Sequence, residues 1–304
     1  MRKVLILILL LALIDNNLLA EEDGATVKKG NLSFLITTGT GFAQTNVNEY
    51  VYDKSRTVSQ LDWENNTFLV HCFCINASWK NMVITGYAKN SFKSLDGNVE
   101  NSDWVGTTSD KTHYSRHDSI VNRYANYGFI AGYNLLFGSF ILTPGIGYGY
   151  TGVSLHANDG YYKYPPIAPK EEVYGTAIIY TLKYHFPFAS LGLAFVYNKL
   201  RLDLNLRYSC VGTLDAKDSH VMRSIDFYDS FKSLKYYLVE PKISYFATKK
   251  LSFFISCHSE YVPKKRGSSY FIDTESGDKS YKEKDVVGNS YKSLMIIAGV
   301  GFKI

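Results

Sequence analysis

The stretch LRLDLNLRYS, residues 200–209, alternates between apolar and polar side chains almost without error. Its leucines and Tyr208 share one parity, while Arg201, Asp203 and Arg207 share the other. Successive side chains of a strand project to opposite faces, so this strand has an apolar face and a charged face. The stretch therefore predicts a β-strand between two different environments: either a protein core and water, or lipid and a polar barrel interior.

The first 20 residues indicate that the chain is exported. Two basic residues precede an apolar run over residues 4–14, and Ala20 stands just before the acidic EED. This order is typical of a secretory signal peptide, which we predict to comprise residues 1–20. An uncleaved anchor helix is the alternative, but a membrane span needs about 20 apolar residues and this run is shorter. We expect residues 21–304 to form one domain.

Composition narrows the class of protein further. Aromatic residues make up 15% of the chain, with 25 tyrosines and only 7 prolines, which suits strands that end at a wet interface. The net charge of +5 is small and scattered, so we expect no nucleic-acid partner. No later apolar run is long enough for a membrane helix, which argues against a helical membrane protein.

The four cysteines are interpreted as packing residues rather than as a disulfide framework. Cys72 and Cys74 are two apart on one strand face, a poor geometry for a bridge between them. Alternation places Cys210 and Cys257 on the apolar side of other strands. No spacing of cysteine and histidine resembles a zinc site, so we expect no bound metal.

Alternating stretches like residues 200–209 recur along the chain. Ten can be recognised, at residues 31–45, 58–78, 81–94, 121–136, 140–154, 173–197, 200–214, 232–247, 250–262 and 289–304. Short connections fall at residues 79–80, 137–139, 198–199 and 248–249. Long polar connections fall at residues 46–57, 95–120, 155–172, 215–231 and 263–288. This order places the short turns at one end of the sheet and the long loops at the other.

Strands with this order of connections predict a ten-stranded antiparallel transmembrane β-barrel of the outer membrane. Only a closed barrel satisfies every backbone hydrogen-bonding group of a sheet in lipid. Leu200 to Tyr208 would then face lipid, while Arg201, Asp203 and Arg207 would face a polar interior. The alternative is a secreted soluble sandwich, whose strands are usually shorter than several of these stretches. A barrel of ten strands is largely filled by side chains, which argues against a porin.

Two polar segments carry residues that could perform acid–base chemistry. DAKDSH, residues 215–220, contains Asp218 and His220, which project the same way from an extended strand. A carboxylate can orient an imidazole, which then acts as a general base for water. DGNVENSDW, residues 96–104, leads to Asp103. An Asp-x-His pair alone is a weak signal, because most such pairs are simply solvated.

Four further motifs are TVSQLDW at residues 57–63, SRH at 115–117, YAN at 124–126 and RYS at 207–209. Together with the Asp-x-His pair they resemble one known family, the omptins, which are ten-stranded outer-membrane endopeptidases. The resemblance runs from about residue 30 to the C-terminus, and the strand count agrees with it independently.

The resemblance implies a site in which two carboxylates face an Asp–His pair, and a water between them attacks the peptide. Asp218 and His220 match the Asp–His pair, and Asp103 matches the second carboxylate. Asn101 stands where the family has the first carboxylate. An asparagine can hydrogen-bond a water, but it carries no charge. Glu100 points to the other face of a regular strand, unless a bulge turns it inward.

The resemblance also implies substrates with basic residues, which the family binds through acidic groups. Glu49 matches one acidic position, although a solvated loop acid is an equal alternative. The other position is Ala216, with Asp215 next to it. We therefore expect Glu49 and Asp215 to bind substrate, and we expect recognition of arginine to be weakened by the missing carboxylate.

Two functions remain open at this point. The first is an endopeptidase of the cell outer membrane that acts on peptides or proteins at its extracellular side. It would need no cofactor, although the family resemblance implies that lipopolysaccharide binds and can be required for activity. The second is a catalytically weakened or silent barrel that serves as a surface adhesin or binding protein. Asn101 is the residue that separates the two.

Overall fold

The computed structural model describes residues 32–106, 109–281 and 283–304, so the predicted signal peptide lies outside the described residues. Ten long strands and one short strand, β5, form within them. They are β1 (Ser33–Asp53), β2 (Arg56–Trp79), β3 (Met82–Asp103), β4 (His113–Tyr133), β5 (Leu135–Phe137), β6 (Phe140–Lys163), β7 (Glu171–Tyr197), β8 (Leu200–His220), β9 (Ile225–Phe246), β10 (Leu251–Asp273) and β11 (Glu283–Lys303). A single 3₁₀ turn, Val221–Arg223, follows β8 in this part of the chain.

The long strands close into a ring of antiparallel neighbours. Each pairs with the next along the chain, β4 pairs with β6, and β1 pairs with β11 from Leu35↔Lys303 to Val51↔Val287. The short strand β5 pairs only with β6, beside a short turn, and takes no place in the ring. The predicted ten-stranded antiparallel barrel is confirmed. Within the described ranges, no helix is long and apolar enough to cross a membrane.

Side chains of residues 200–209 lie on the faces that alternation predicts. Leu200, Leu202 and Tyr208 are exposed on the outer face, while Arg207 is buried in the interior. The inward Arg201 side chain forms an ion pair with Asp203 at 2.9 Å. Exposed apolar side chains of the other strands, such as Phe73 and Ile296, join them in a band near the short turns. This apolar band is the membrane-spanning part of the barrel.

Buried charged and aromatic side chains fill the interior beside this band. His258 lies 2.8 Å from Glu240 through Nδ1 and 3.2 Å from Glu260 through Nε2. Lys89 Nζ lies 3.6 Å from a carboxylate oxygen of Glu240. Nearer the long-loop end, the buried rings of Trp63 and Tyr180 stack with centroids 5.9 Å apart. These layers form the floor on which the candidate site rests.

The predicted long loops are wrong in extent, because most of their residues continue the strands. β1 runs on to Asp53 and β8 runs on to His220. The connections that remain at this end cover only residues 54–55, 104–112, 164–170, 221–224 and 274–282. Beyond the apolar band both faces of the sheet can be polar, so the alternation of apolar and polar residues weakens. The hydrogen bonds between the strand backbones continue all the same. The candidate residues therefore lie on strands rather than on loops.

Candidate functional site

A β-bulge in β8 decides which side chains of this strand enter the barrel. The pairing with β9 shifts between Ser209↔Tyr236 and Gly212↔Leu234, and the two residues between, Cys210 and Val211, are both exposed. Two successive outward residues reverse the parity of the strand. Inward positions are odd-numbered up to Ser209 and even-numbered from Gly212 onward. The bulge thereby turns the end of β8 so that its Asp–His pair faces the interior.

Asp218 and His220 form a close pair at the end of this strand. His220 Nε2 lies 2.7 Å from Asp218 Oδ2, with the side chains 16% and 2% exposed, respectively. The imidazole also packs edge-on against Phe227, with ring centroids 5.3 Å apart. A proton on Nε2 that is donated to the carboxylate leaves the Nδ1 lone pair as an acceptor. The pair thus has the geometry of an oriented general base.

Asn101 and Asp103 lie together at the end of β3. Asn101 Nδ2 donates to Asp103 Oδ2 at 3.2 Å, a bond that an ionised carboxylate at position 101 could not make. The Ser59 hydroxyl on β2 donates to Asp103 Oδ1 at 2.5 Å and lies 3.4 Å from Asn101 Oδ1. Sequence reasoning did not assign Ser59 a role, although it belongs to the TVSQLDW motif. Its hydroxyl fixes the orientation of the Asp103 carboxylate.

Glu100 does not replace the missing carboxylate. Its side chain lies on the outer face, where it forms an ion pair with Arg116 at 3.4 Å, and both groups are well exposed. No bulge turns it inward, since β3 pairs regularly with β4 from Asn98↔Asp118 to Asp103↔His113. Asn101 therefore stands beside Asp103 as the inward side chain.

Tyr164, in the connection between β6 and β7, lies between the end of β3, which carries Asp103, and the turn that follows His220. Its ring packs edge-on against His113 with centroids 4.4 Å apart, and its hydroxyl lies near Arg223, just beyond His220. Burial raises the pKa of this tyrosine, Arg223 opposes that shift, and the nearby charge of Asp103 adds to it. One aromatic side chain thus lies close to both Asp103 and the segment that follows His220.

A cluster of buried acids, which includes Asp218 of the Asp–His pair, lies beyond the apolar band. Its members are Glu49, Asp218 and Asp229, which are 4%, 2% and 4% exposed. Burial raises the pKa of Glu49 well above its usual value, and the charges of Asp218 and Asp229 raise it further. Burial raises the pKa of Asp229 to about 7, where the Asp218 charge adds to the shift and a hydrogen bond from Ser269 opposes it. The cluster is therefore strongly disposed to accept positive charge.

The expectation for Asp215 is corrected by the parity of β8. Asp215 is exposed on the outer face, while its neighbour Ala216 is buried and inward. The inward acid near this position is Asp229 on β9, which pairs directly with Ala216. Asp229 was missed because it lies in a segment interpreted as a polar loop, with no motif around it. Glu49 does lie inside the barrel, as the acidic-pocket interpretation requires.

The donor groups of the site do not suggest a metal centre. In the described ranges, no group of three or more His, Cys, Asp or Glu side chains is arranged to hold a metal ion. The chemistry available is that of an imidazole, several carboxylates, an amide and a hydroxyl. Such a set can hold a water, remove its proton and attract a cationic organic group.

The sequence and the fold are both similar to those of known proteins. The sequence profile of the Omptin family matches residues 30–304. The chain is 25% identical over 283 residues to a plasminogen activator from Yersinia pestis, over 89% of each sequence. Its fold is similar to that of the outer membrane protease OmpT from Escherichia coli, with a TM-score of 0.84 and 20% identity over 92% of this chain and 100% of that one.

Proposed function

Since this chain belongs to the Omptin family of outer-membrane proteases, we propose that it is an endopeptidase in which Asp218 and His220 activate the attacking water. The family match confirms the resemblance seen in the sequence motifs, and family and fold together indicate an outer-membrane protein. The observation that carries the proposed activity is the 2.7 Å contact between His220 and a buried Asp218 at the mouth of the barrel.

The proposed reaction begins with proton transfer from water to His220. The imidazole accepts the proton on Nδ1 while the water oxygen attacks the peptide carbonyl carbon, which becomes tetrahedral. Asp218 stays ionised and stabilises the imidazolium that forms. The imidazolium then gives its proton to the leaving amine, the C–N bond breaks, and a carboxylic acid and an amine result. Every proton in this sequence is carried by the water or by His220.

Asp103 and Asn101 are proposed to hold the attacking water from the opposite side. Asp103 accepts a hydrogen bond from the water, and its carboxylate is itself fixed by Ser59 at 2.5 Å. Asn101 offers one acceptor and a donor, and the donor is engaged with Asp103 at 3.2 Å. The water can therefore bind, but it is oriented less strongly than by two carboxylates.

Direct attack by water predicts that no covalent intermediate forms. The hydroxyls of Ser59 and Ser115 make no hydrogen bond to a histidine in the described part of the chain, so neither is paired with an imidazole base as a serine nucleophile would be. Intact-mass spectrometry during a single turnover should show only unmodified protein, with a serine protease treated in parallel as the positive control. A protein adduct that carries the N-terminal half of the substrate would contradict the mechanism.

We propose that substrates carry a basic residue next to the cleaved bond. The support is the buried acidic cluster of Glu49, Asp218 and Asp229, which offers negative charge to a cation in a site of low dielectric constant. Outer-membrane lipid surrounds the apolar band, and we propose that lipopolysaccharide supports activity in that setting. The assays described below therefore include it.

We also propose that the long-loop end, with the site, faces the cell exterior. Tags inserted after Ile167, which is 94% exposed, and after Ser276 should bind antibody on intact cells. A tag after Asn198 in a short turn should bind only after the outer membrane is permeabilised, and it serves as the control. The reverse pattern of labelling would overturn the proposed orientation.

A binding protein without protease activity is the second candidate, and Asn101 is the observation that favours it. An uncharged amide beside Asp103 removes one of the two carboxylates that the family resemblance implies. The acidic cluster could then bind basic segments of a partner without cleaving them. The Asn101 variant described in the Discussion separates this candidate from the endopeptidase.

A further inference from the structure

A polar cavity of about 280 Å³ lies inside the barrel at its short-turn end, opposite the candidate site. Residues at the strand ends beside the short turns line it, among them Ser33, Ser78 and Phe246. Ligand pockets begin at about 300 Å³, so a cavity of this size suits a small molecule rather than a segment of a protein partner. The proposed endopeptidase activity gives this cavity no role.

Basic side chains outnumber acidic ones in the cavity wall. Within the described ranges the wall contains five basic side chains and two acidic ones, namely Lys89, Arg201, Arg207, Lys242 and Lys303 against Asp203 and Glu240. Both acids already have partners. Asp203 forms an ion pair with Arg201 at 2.9 Å, while Glu240 lies 2.8 Å from Nδ1 of His258 and 3.6 Å from Nζ of Lys89. The wall therefore carries positive charge that its own carboxylates do not balance.

Arg207 contributes a guanidinium that is only partly paired. Its Nη2 lies 3.9 Å from Glu240, a long contact, while Nε and Nη1 are buried and donate no hydrogen bond within the described part of the chain. The rings of Tyr87 and Phe188 pack against it, with centroids 4.4 and 5.3 Å from its central carbon. Because a buried donor without an acceptor is costly, this guanidinium is suited to bind an anion.

Lys242 is a second cation of this wall without an acidic partner. Its half-buried side chain places Nζ 4.6 Å from the centre of the Phe254 ring, and it forms no ion pair among the described residues. On β9 it is the next inward residue after Glu240, the level that Arg207 reaches. Two residues of a strand span about 7 Å, so one small ligand can contact both cations.

Neutral hydrogen-bond donors lie beside these two cations. Asn205, on β8, lines the cavity and pairs with Glu240 across the sheet. Ser256, on β10, lines it as well and pairs directly with Lys242. Amide and hydroxyl groups can donate hydrogen bonds to the oxygens of an anion that the cations attract.

We propose that this cavity binds a soluble phosphate monoester between Lys242 and Arg207. Two incompletely paired cations match a phosphate group, which carries a charge of about −1.5 to −2 at neutral pH, better than they match a singly charged carboxylate. The cavity lies within the ring of strands, so its ligand enters along the barrel axis, which is from the periplasm in the proposed orientation. The binding itself is independent of the endopeptidase function, because the two sites lie at opposite ends of the barrel.

Calorimetric titration of the refolded protein in an uncharged, phosphate-free detergent gives the first test. Glycerol 3-phosphate should bind at least about tenfold more tightly than glycerate, a carboxylate of similar size. Lys242→Gln should weaken glycerol 3-phosphate binding by about 10- to 100-fold, the range for a charge-assisted hydrogen bond, whereas Lys242→Arg should keep most of the affinity. Lys199→Gln is the matched control, because it removes an exposed lysine from a short turn at the same end, and it should bind as wild type does.

A gain of affinity gives a stricter arm, because misfolding does not produce one. Asp203→Asn releases Arg201 from its ion pair and removes a negative charge from the cavity wall, so glycerol 3-phosphate should bind several-fold more tightly. Asp215→Asn removes an acid from the outer face and should change nothing. Unchanged or weaker binding in Asp203→Asn would overturn the proposal.

Further probes separate a soluble ligand from a lipid headgroup. Inorganic phosphate should compete with glycerol 3-phosphate, while dihexanoyl phosphatidate, whose phosphate carries two acyl chains, should not compete. Binding of the phosphatidate alone, no binding of glycerol 3-phosphate to wild type, or equal binding to wild type and Lys242→Gln would each overturn the proposal. None of these measurements uses peptide cleavage, so a failure of the endopeptidase proposal leaves them unaffected.

Discussion

Replacing His220 by alanine should lower kcat/KM for peptide cleavage by about 10²- to 10⁴-fold, which is the contribution expected of a positioned general base. The His220 imidazole lies at the end of β8, where its Nε2 is 2.7 Å from the buried carboxylate of Asp218. Because substrate binding is proposed to rest on the acids below, KM should change much less than kcat. Initial rates on an internally quenched peptide with one arginine, measured with lipopolysaccharide present, check this expectation.

His156→Ala provides the matched control for this variant. His156 lies on β6 between the buried, inward Leu155 and Ala157, so its own side chain points to the outer face. Its replacement should leave kcat/KM within about twofold of wild type, as is usual for a surface substitution away from special features. Equal rates in wild-type and His220→Ala protein would show that another group activates the water.

Replacing Asn101 by aspartate should raise kcat/KM at least several-fold. The gain should be smaller than the loss expected for His220→Ala, because Asn101 only supports the attacking water and does not accept its proton. The new carboxylate adds an acceptor for the attacking water and removes the amide donor that now bonds Asp103 at 3.2 Å. Two adjacent carboxylates raise each other's proton affinity, so the gain should be larger at neutral pH than in acid. The same quenched-peptide assay, repeated across the pH range, measures it.

Ser102→Asp is the control for the added charge. Ser102 neighbours Asn101 on β3 but projects to the opposite face, so an aspartate there introduces the same charge without approaching the water. No gain is expected from it. The double variant Asn101→Asp with His220→Ala should be as inactive as His220→Ala alone. A gain from Ser102→Asp equal to that from Asn101→Asp would mean that general electrostatics, rather than the water position, explains the increase.

The sequence predicts the strands best where lipid contacts one face of the sheet and the barrel interior the other. Around Leu200 to Tyr208, lipid on one side and a charged interior on the other impose a strict two-residue period, and the strand is found there. The upper half of the same strand meets no lipid, so the period weakens and the segment was interpreted as a loop. The strand continues because its backbone hydrogen bonds do not depend on side-chain polarity.

The bulge at Cys210 and Val211 explains the main error at the site. Alternation continued unbroken from Leu200 would turn Asp215 inward and both Asp218 and His220 outward. The two successive outward residues reverse that parity, and nothing in the CVG sequence marks the reversal. The Asp–His pair was predictable because the family resemblance, rather than the periodicity, identified it. The inward position of Asp229 beside Asp218 follows from the pairing of β9 with β8, and the sequence alone does not show which residues of two strands are paired.

The most direct test of the central claim is the rate at which refolded wild-type protein hydrolyses the single-arginine peptide in the presence of lipopolysaccharide. We expect slow hydrolysis, with one new carboxylic acid and one new amine formed next to the arginine, and we expect this hydrolysis to disappear in His220→Ala. If neither wild-type nor Asn101→Asp protein hydrolyses the peptide, the Asp–His pair does not activate water for cleavage, and the barrel is a binding protein.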